Sequence, residues 1–212
     1  FSAQTKDNFY NKWETNNYIA STMFFGGSLN LRLKYSYATE IFLDQKFKTG
    51  GLGVTFGGLV SNVLNFAVIY KKINSIYYSN SPFQGNSNVI QAIAIIQPSD
   101  KISTRVDFIF SDFTRESDNK LLYEYPITRF RLTYQMNKYL FLRGIAEYNK
   151  YKNQIITDFL ASFTYIPGTV LHFGYGSLYQ KIEWSNNKYS PSDLFHEMQR
   201  GFFFKASYLW RL

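Results

Sequence analysis

Gly201 to Leu212 reads GFFFKASYLWRL, and its alternation decides the fold. Phe202, Phe204, Ala206, Tyr208, Trp210 and Leu212 fall on one side of an extended chain. Phe203, Lys205, Ser207, Leu209 and Arg211 fall on the other, because successive strand side chains point to opposite faces. One face is therefore apolar and aromatic, and the other is mixed and basic. A final strand with aromatics alternating up to the C-terminus is the signal read by the outer-membrane assembly machinery of Gram-negative bacteria. Phe204, Tyr208, Trp210 and Leu212 are expected to carry it here. The glycine usual inside that signal is replaced by Lys205 or Ser207, depending on register.

The same design recurs upstream. Leu29, Leu31, Leu33, Tyr35, Tyr37, Ile41 and Leu43 alternate with Asn30, Arg32, Lys34, Ser36 and Glu40, a period of two that predicts a strand rather than a helix. Further strands are predicted through Leu52 to Val60, Leu64 to Tyr70 with an extension toward Tyr78, Val89 to Gln97, and Ile102 to Ser111. Four more follow at Phe130 to Met136, Leu140 to Asn149, Phe159 to Tyr165, and Leu171 to Tyr179. With the C-terminal strand this makes ten from Leu29, or twelve if residues 1–28 contribute two. Those first 28 residues are read as a tether or up to two strands ending at the Gly26-Gly27-Ser28 turn.

Composition fits a wall that is apolar on one side and wet on the other. The chain of 212 residues holds 18 Tyr, 21 Phe and 3 Trp, yet its mean hydropathy is only −0.25. No run of about 18 apolar residues exists, which excludes a transmembrane helix but leaves a strand-built barrel open. The absence of Cys excludes disulfides and thiolate metal sites. The net charge of +8 comes from basic residues scattered at alternating strand positions, not from the clustered stripe of a nucleic-acid binder, so no nucleic-acid partner is expected. Because the chain begins at Phe1, it is read as a mature or truncated product.

The connections separate a barrel from a sandwich. They are expected to be tight at Ser61-Asn62, Pro98 to Lys101, Asn137-Lys138 and Pro167 to Thr169, and longer and polar at 45–50, 79–87, 115–120, 150–154 and 182–197. Short turns on one rim and long loops on the other are the pattern of outer-membrane barrels. The expected fold is therefore all-β: an antiparallel, up-and-down transmembrane β-barrel over 29–212, with the N-terminal segment 1–28 ahead of it. Its expected location is a bacterial outer membrane, with the C-terminus on the periplasmic rim.

Three stretches carry a resemblance to a known family: PITRFRLTYQMNKYLFLRGIAEYNKY from Pro126, DFLASFTYIPGTVLHFGYGSLYQK from Asp158, and QRGFFFKASYLWRL from Gln199, with Phe83-Gln84-Gly85 also fitting. They resemble the C-terminal barrel of an uncharacterised outer-membrane family whose full-length members carry an N-terminal carbohydrate-binding-module-like domain. The resemblance covers roughly the last 130 residues and is weak before Asn65. It implies that the chain is the C-terminal part of a longer protein, and it brings no catalytic motif with it.

Candidate site residues gather on the inward faces. If Asn137, Lys138 and Tyr139 form a three-residue hairpin loop, Met136 opposes Leu140, and counting back places Arg129 opposite Glu147 and Arg143 opposite Thr133. Arg131 shares that face, and Arg105 and Asp107 sit on the neighbouring strand. This cluster reads either as mutual neutralisation of charge in a narrow interior or as a charged constriction for an anionic solute. His172 is expected on the inward face opposite Thr164, with no nucleophile and acid to complete a catalytic trio. His196, beside Asp193 and Glu197 in the expected last loop, is one His with two acids, too few ligands for a metal site. No metal, no cofactor and no enzymatic activity are expected.

The functional reading that follows is a membrane anchor or scaffold, alone or as a subunit of a larger outer-membrane complex. Its partners would be outer-membrane lipid, the assembly machinery and any further subunits. The alternative is a passive pore or conduit for small oligosaccharide or peptide solutes, and a barrel enzyme ranks third. Interior bulk separates them: inward Gly51, Gly53, Gly57, Ser103, Ser162, Gly174 and Gly176 leave space, and inward Arg, Phe and Leu fill it.

Overall fold

The computed structural model describes residues 2–7, 13–166, 168–185 and 187–209, with side chains from 14 onward. Among these, fourteen strands form: β1 (Ser2–Asp7), β2 (Trp13–Phe24), β3 (Asn30–Phe42), β4 (Gln45–Lys48), β5 (Gly51–Leu59), β6 (Leu64–Tyr77) and β7 (Phe83–Ser99), then β8 (Ile102–Arg115), β9 (Leu121–Glu124), β10 (Ile127–Gln135), β11 (Leu140–Asn149), β12 (Gln154–Ile166), β13 (Thr169–Ser185) and β14 (Lys188–Ser207). They make one sheet in the order β1-β2-β3-β5-β6-β7-β8-β10-β11-β12-β13-β14, with β4 paired to β3 and β9 to β8. The fold is all-β and up-and-down, the strand plan of a transmembrane β-barrel. Twelve strands lie on the continuous path because β1 pairs β2 from Ser2↔Tyr18 to Asp7↔Trp13, and β2 pairs β3.

The chain divides into two compact units. The first comprises Phe1–Ser61, Asn65–Ile93 and Phe108–Tyr125; the second comprises Asn62–Leu64, Ala94–Asp107 and Pro126–Leu212.

The first unit has its core in an aromatic group. Phe113 is 1% exposed; its ring stacks on Tyr123 at 5.7 Å and meets Tyr77 and Phe83. The Arg115 guanidinium lies 4.8 Å over the Phe83 ring, a cation–π contact. Beside this group, the Gln84 carboxamide accepts from Lys48 N–H (2.8 Å) and donates to Lys48 C=O (2.9 Å) and Ser75 C=O (2.9 Å). It thereby bonds both backbone groups of Lys48 in β4 and the Ser75 carbonyl in β6.

In the second unit, cross-strand rows sort side chains by chemistry. Phe159 sits between Gly144 and Tyr175, and Tyr175 is paired in turn with Phe202. Ala161, Phe173 and Phe204 form the next row. Phe159, Phe202 and Phe204 are more than 60% exposed. A continuous exposed aromatic band on one sheet face is what a lipid-facing wall requires. The opposite face of the same strands mixes Arg143, Glu147, Asp158, Gly176 and Gly201 with Ile145, Ile156, Leu160 and Phe203.

Two sequence expectations change. The long polar connections are mostly strand: β4 occupies 45–48, β7 begins at Phe83, and β13 and β14 pair until Ser185↔Lys188. Polar sequence does not prevent pairing, because a hairpin satisfies backbone groups as well as water does. The tips are tight because Asn119, Asn153 and Asn187 adopt left-handed φ of 54°, 47° and 59°, which Asn tolerates better than most residues. The β13–β14 hairpin, with strands of 17 and 20 residues, exceeds the 9–11 residues that span a membrane.

The C-terminal ladder also ends earlier than its alternation implies. Ser207 pairs Val170, one residue from the start of β13, so no strand continues opposite the residues after it. Tyr208 lies beyond the strand, and Trp210 and Leu212 lie outside the described residues.

Candidate functional site

The charged face of the second unit is built by register. Asn137 sets the β10–β11 turn: its side-chain oxygen accepts from Tyr139 N–H (2.8 Å) and Leu140 N–H (3.0 Å), and Met136 N–H donates to Leu140 C=O (3.0 Å). From there the ladder runs Gln135↔Phe141, Thr133↔Arg143, Arg131↔Ile145 and Arg129↔Glu147. The Arg129↔Glu147 and Thr133↔Arg143 pairings are the ones counted from the sequence.

Three charge pairs result. Arg129 Nε lies 3.4 Å from Glu147 Oε2. Arg105 and Asp107, two apart on β8 and so on one face, pair with each other: Nε reaches both carboxylate oxygens at 2.9 Å and Nη2 reaches Oδ1 at 2.7 Å. Arg143 has Asp158 as its partner, with Nη2 3.8 Å from Oδ1. That separation is too long for a hydrogen bond, and Asp158 Oδ1 makes none. Nε of Arg131 and of Arg143 likewise have no hydrogen-bond partner. Sequence reasoning missed Asp158. The signal was present, since Asn149↔Gln154 across the Lys150 to Asn153 turn places Asp158 opposite Ile145, one step along β12 from the Arg143↔Leu160 pair.

The two histidines form no reactive centre. His172 faces Ser162, not Thr164, because the β12–β13 hairpin closes with Ile166 opposite Thr169 and a register shift between Thr164 and Ile166. The expected turn over 167–169 is one residue too long, and the bulge moves the register further. The row continues from His172 to Lys205, not to an acid. His196 lies within β14 opposite Gln180, and its Nε2 is 3.1 Å from Ser192 Oγ. Glu197 is engaged by the Tyr175 hydroxyl (3.2 Å) and by Arg200 (3.5 Å). Among the described residues no cluster of three metal-ligating side chains occurs.

Beside the charge pairs lies a depression of about 510 Å³ over β12, β13 and β14. Asp158, Gly176 and Gly201 stand opposite one another on these consecutive strands. In the next row the Phe203 ring lies across Gly174, on the space a side chain there would need.

The chain is similar in fold to several solved structures. One is the KdgM porin in complex with disordered oligogalacturonate: 9% identity, 93% of this chain and 94% of that one covered, TM-score 0.39. Others are the CymD monoaromatic hydrocarbon channel (8%, 84% and 72%, 0.40) and the NanC porin (10%, 93% and 93%, 0.36). No family model matches the chain, and no curated protein matches it. The comparisons lend no support to the family resemblance or to the carbohydrate-binding-like N-terminal domain it implies.

Proposed function

We propose that the chain forms a passive, water-filled pore in a bacterial outer membrane, conducting small polar solutes, with its C-terminus on the periplasmic rim. One observation carries the reading: mid-strand charges on the polar face remain wet. The side chains of Arg105, Asp107, Arg129, Glu147, Arg143 and Asp158 are between 16% and 44% exposed. A barrel serving only as an anchor and packed with its own side chains would bury them. Gly176 and Gly201 on the same face keep that wall thin, with no atom within 4 Å of a Cβ added at Gly201. The alternation of Arg with Glu and Asp keeps local charge low, which suits an unselective conduit better than an ion trap.

The test is single-channel recording of the purified chain in a planar lipid bilayer. Stable stepwise conductance is expected. Folded, inserted protein with no conductance overturns the pore and restores the anchor reading.

A further inference from the structure

The depression over β12 to β14 has a composition of its own. Its floor is backbone, because Gly176 and Gly201 stand side by side without side chains. Its width from Asp158 to Gly201 is two inter-strand spacings, about 10 Å. At one side the Phe203 ring covers Gly174, and the residue is 47% exposed, so part of the ring is open to the depression. Gln154 and Gln199 border the same space, and each carboxamide both donates and accepts hydrogen bonds. Asp158, whose side chain is 39% exposed, adds a carboxylate acceptor. Its charge is offset by Arg143 at 3.8 Å, so the wall offers polar groups without a net charge.

An exposed aromatic ring beside donor–acceptor side chains, on a backbone floor, matches a ligand with one apolar ring face and a hydroxylated edge. The volume of about 510 Å³ lies in the range of small-molecule sites. We infer that this depression is a subsite for one ring of a neutral pyranose sugar. The sugar's C–H face lies on Phe203 and its hydroxyls reach Asp158, Gln154 and Gln199. The inference rests on the reading of this face as the solvated wall of a pore, and it names a solute class for that pore. Arg200, the cation in the lining, is paired with Glu197 at 3.5 Å, which disfavours an anion, and an aliphatic chain would leave the Asp158 carboxylate and both carboxamides unmet.

Calorimetric titration of maltotriose into the full chain folded in detergent micelles tests it without requiring conduction. Saturable binding is expected, and the acyclic polyol sorbitol is expected not to bind, since it has hydroxyls but no ring face. Phe203→Ala should weaken maltotriose about tenfold, the loss of one aromatic contact, and Phe203→Tyr should retain it. Gly201→Leu should abolish binding by filling the floor, at a position where an added Cβ meets no atom within 4 Å. No saturable binding, equal binding of sorbitol, or unchanged affinity in both Phe203→Ala and Gly201→Leu would overturn the subsite. Those results leave the pore standing if the chain conducts. Sugar binding by a chain that does not conduct would instead sink the pore and keep the subsite.

Discussion

The ring of Phe113 occupies the place where a side chain on Gly85 would have to be. A Cβ built on Gly85 overlaps Phe113 Cζ and falls 2.6 Å from Phe113 Cε1 and from the Thr114 carbonyl oxygen. The neighbours cannot all give way, because Phe113 is held by Tyr77, Phe83 and Tyr123. Gly85→Ala should therefore destabilise the folded barrel by about 1–3 kcal/mol, the usual cost of overpacking. Thermal unfolding in detergent, followed by heat-modified mobility on gels, reads the loss. A second variant, Gly85→Ala with Phe113→Leu, should recover part of it. Wild-type stability in the single variant would show that the aromatic group is not packed as described.

Leu132 and Phe204 belong to the apolar face, and both are exposed. Replacing either by Arg places a charge on the lipid side, where it costs roughly 2–4 kcal/mol near the midplane. Yield of folded protein in outer-membrane fractions should fall for both. Normal yield of both would mean that the two faces are assigned the wrong way round.

Glu147 pairs Arg129 at 3.4 Å. Glu147→Gln leaves an amide of similar size in the same row, so folding should be retained. The polar face gains one net positive charge, and in the proposed pore that should shift reversal potential toward anion selectivity. An unchanged reversal potential in a conducting variant would place Glu147 away from the solute path.

Tyr78, just past the end of β6, donates its hydroxyl to Glu40 Oε1 at 3.0 Å. Burial, and then the hydrogen bond and charge of Glu40, raise its pKa above the ordinary 10.0. A raised pKa means that the folded state favours the neutral phenol, so this contribution is fully present below pH 10 and is lost as pH rises through the folded value. Ultraviolet difference spectra between wild type and Tyr78→Phe should show a tyrosine titrating above 10. In Glu40→Gln the midpoint should fall while staying above the ordinary value, since burial remains. A midpoint at or below 10 in the wild type would contradict the contact.

Local periodicity made most of this architecture legible. Alternation at Leu29 to Leu43 and at Phe130 to Met136 assigns each residue to a face, because strand geometry leaves two directions for a side chain. Where a short turn joins two such strands, counting across it also sets the register. Arg129 opposite Glu147 follows from the Asn137 to Tyr139 loop in that way.

Counting fails where the ladder is irregular. The shorter turn and the bulge near Tyr165 together move His172 from Thr164 to Ser162. Between Gln180 and Ile182 the partner jumps from His196 to Pro191, and one extra residue in a ladder turns every later side chain to the other face. Polar composition also misled: residues 182–197 look like a loop, yet Trp184 and Tyr189 close a hairpin there with rings 4.9 Å apart.

The sequence by itself determined the fold class, the number of long strands within two, and the chemistry of each face, since all three depend on the two-residue period of a single strand. Only the tertiary structure decided that Arg143 meets Asp158, that Gln84 holds the backbone of β4, and that Gly85 makes room for Phe113. It also brought Gly176, Gly201 and Phe203 together around one depression. Those relationships join residues between about 15 and 45 positions apart in many cases, and they depend on cross-strand register and bulges that no single strand encodes.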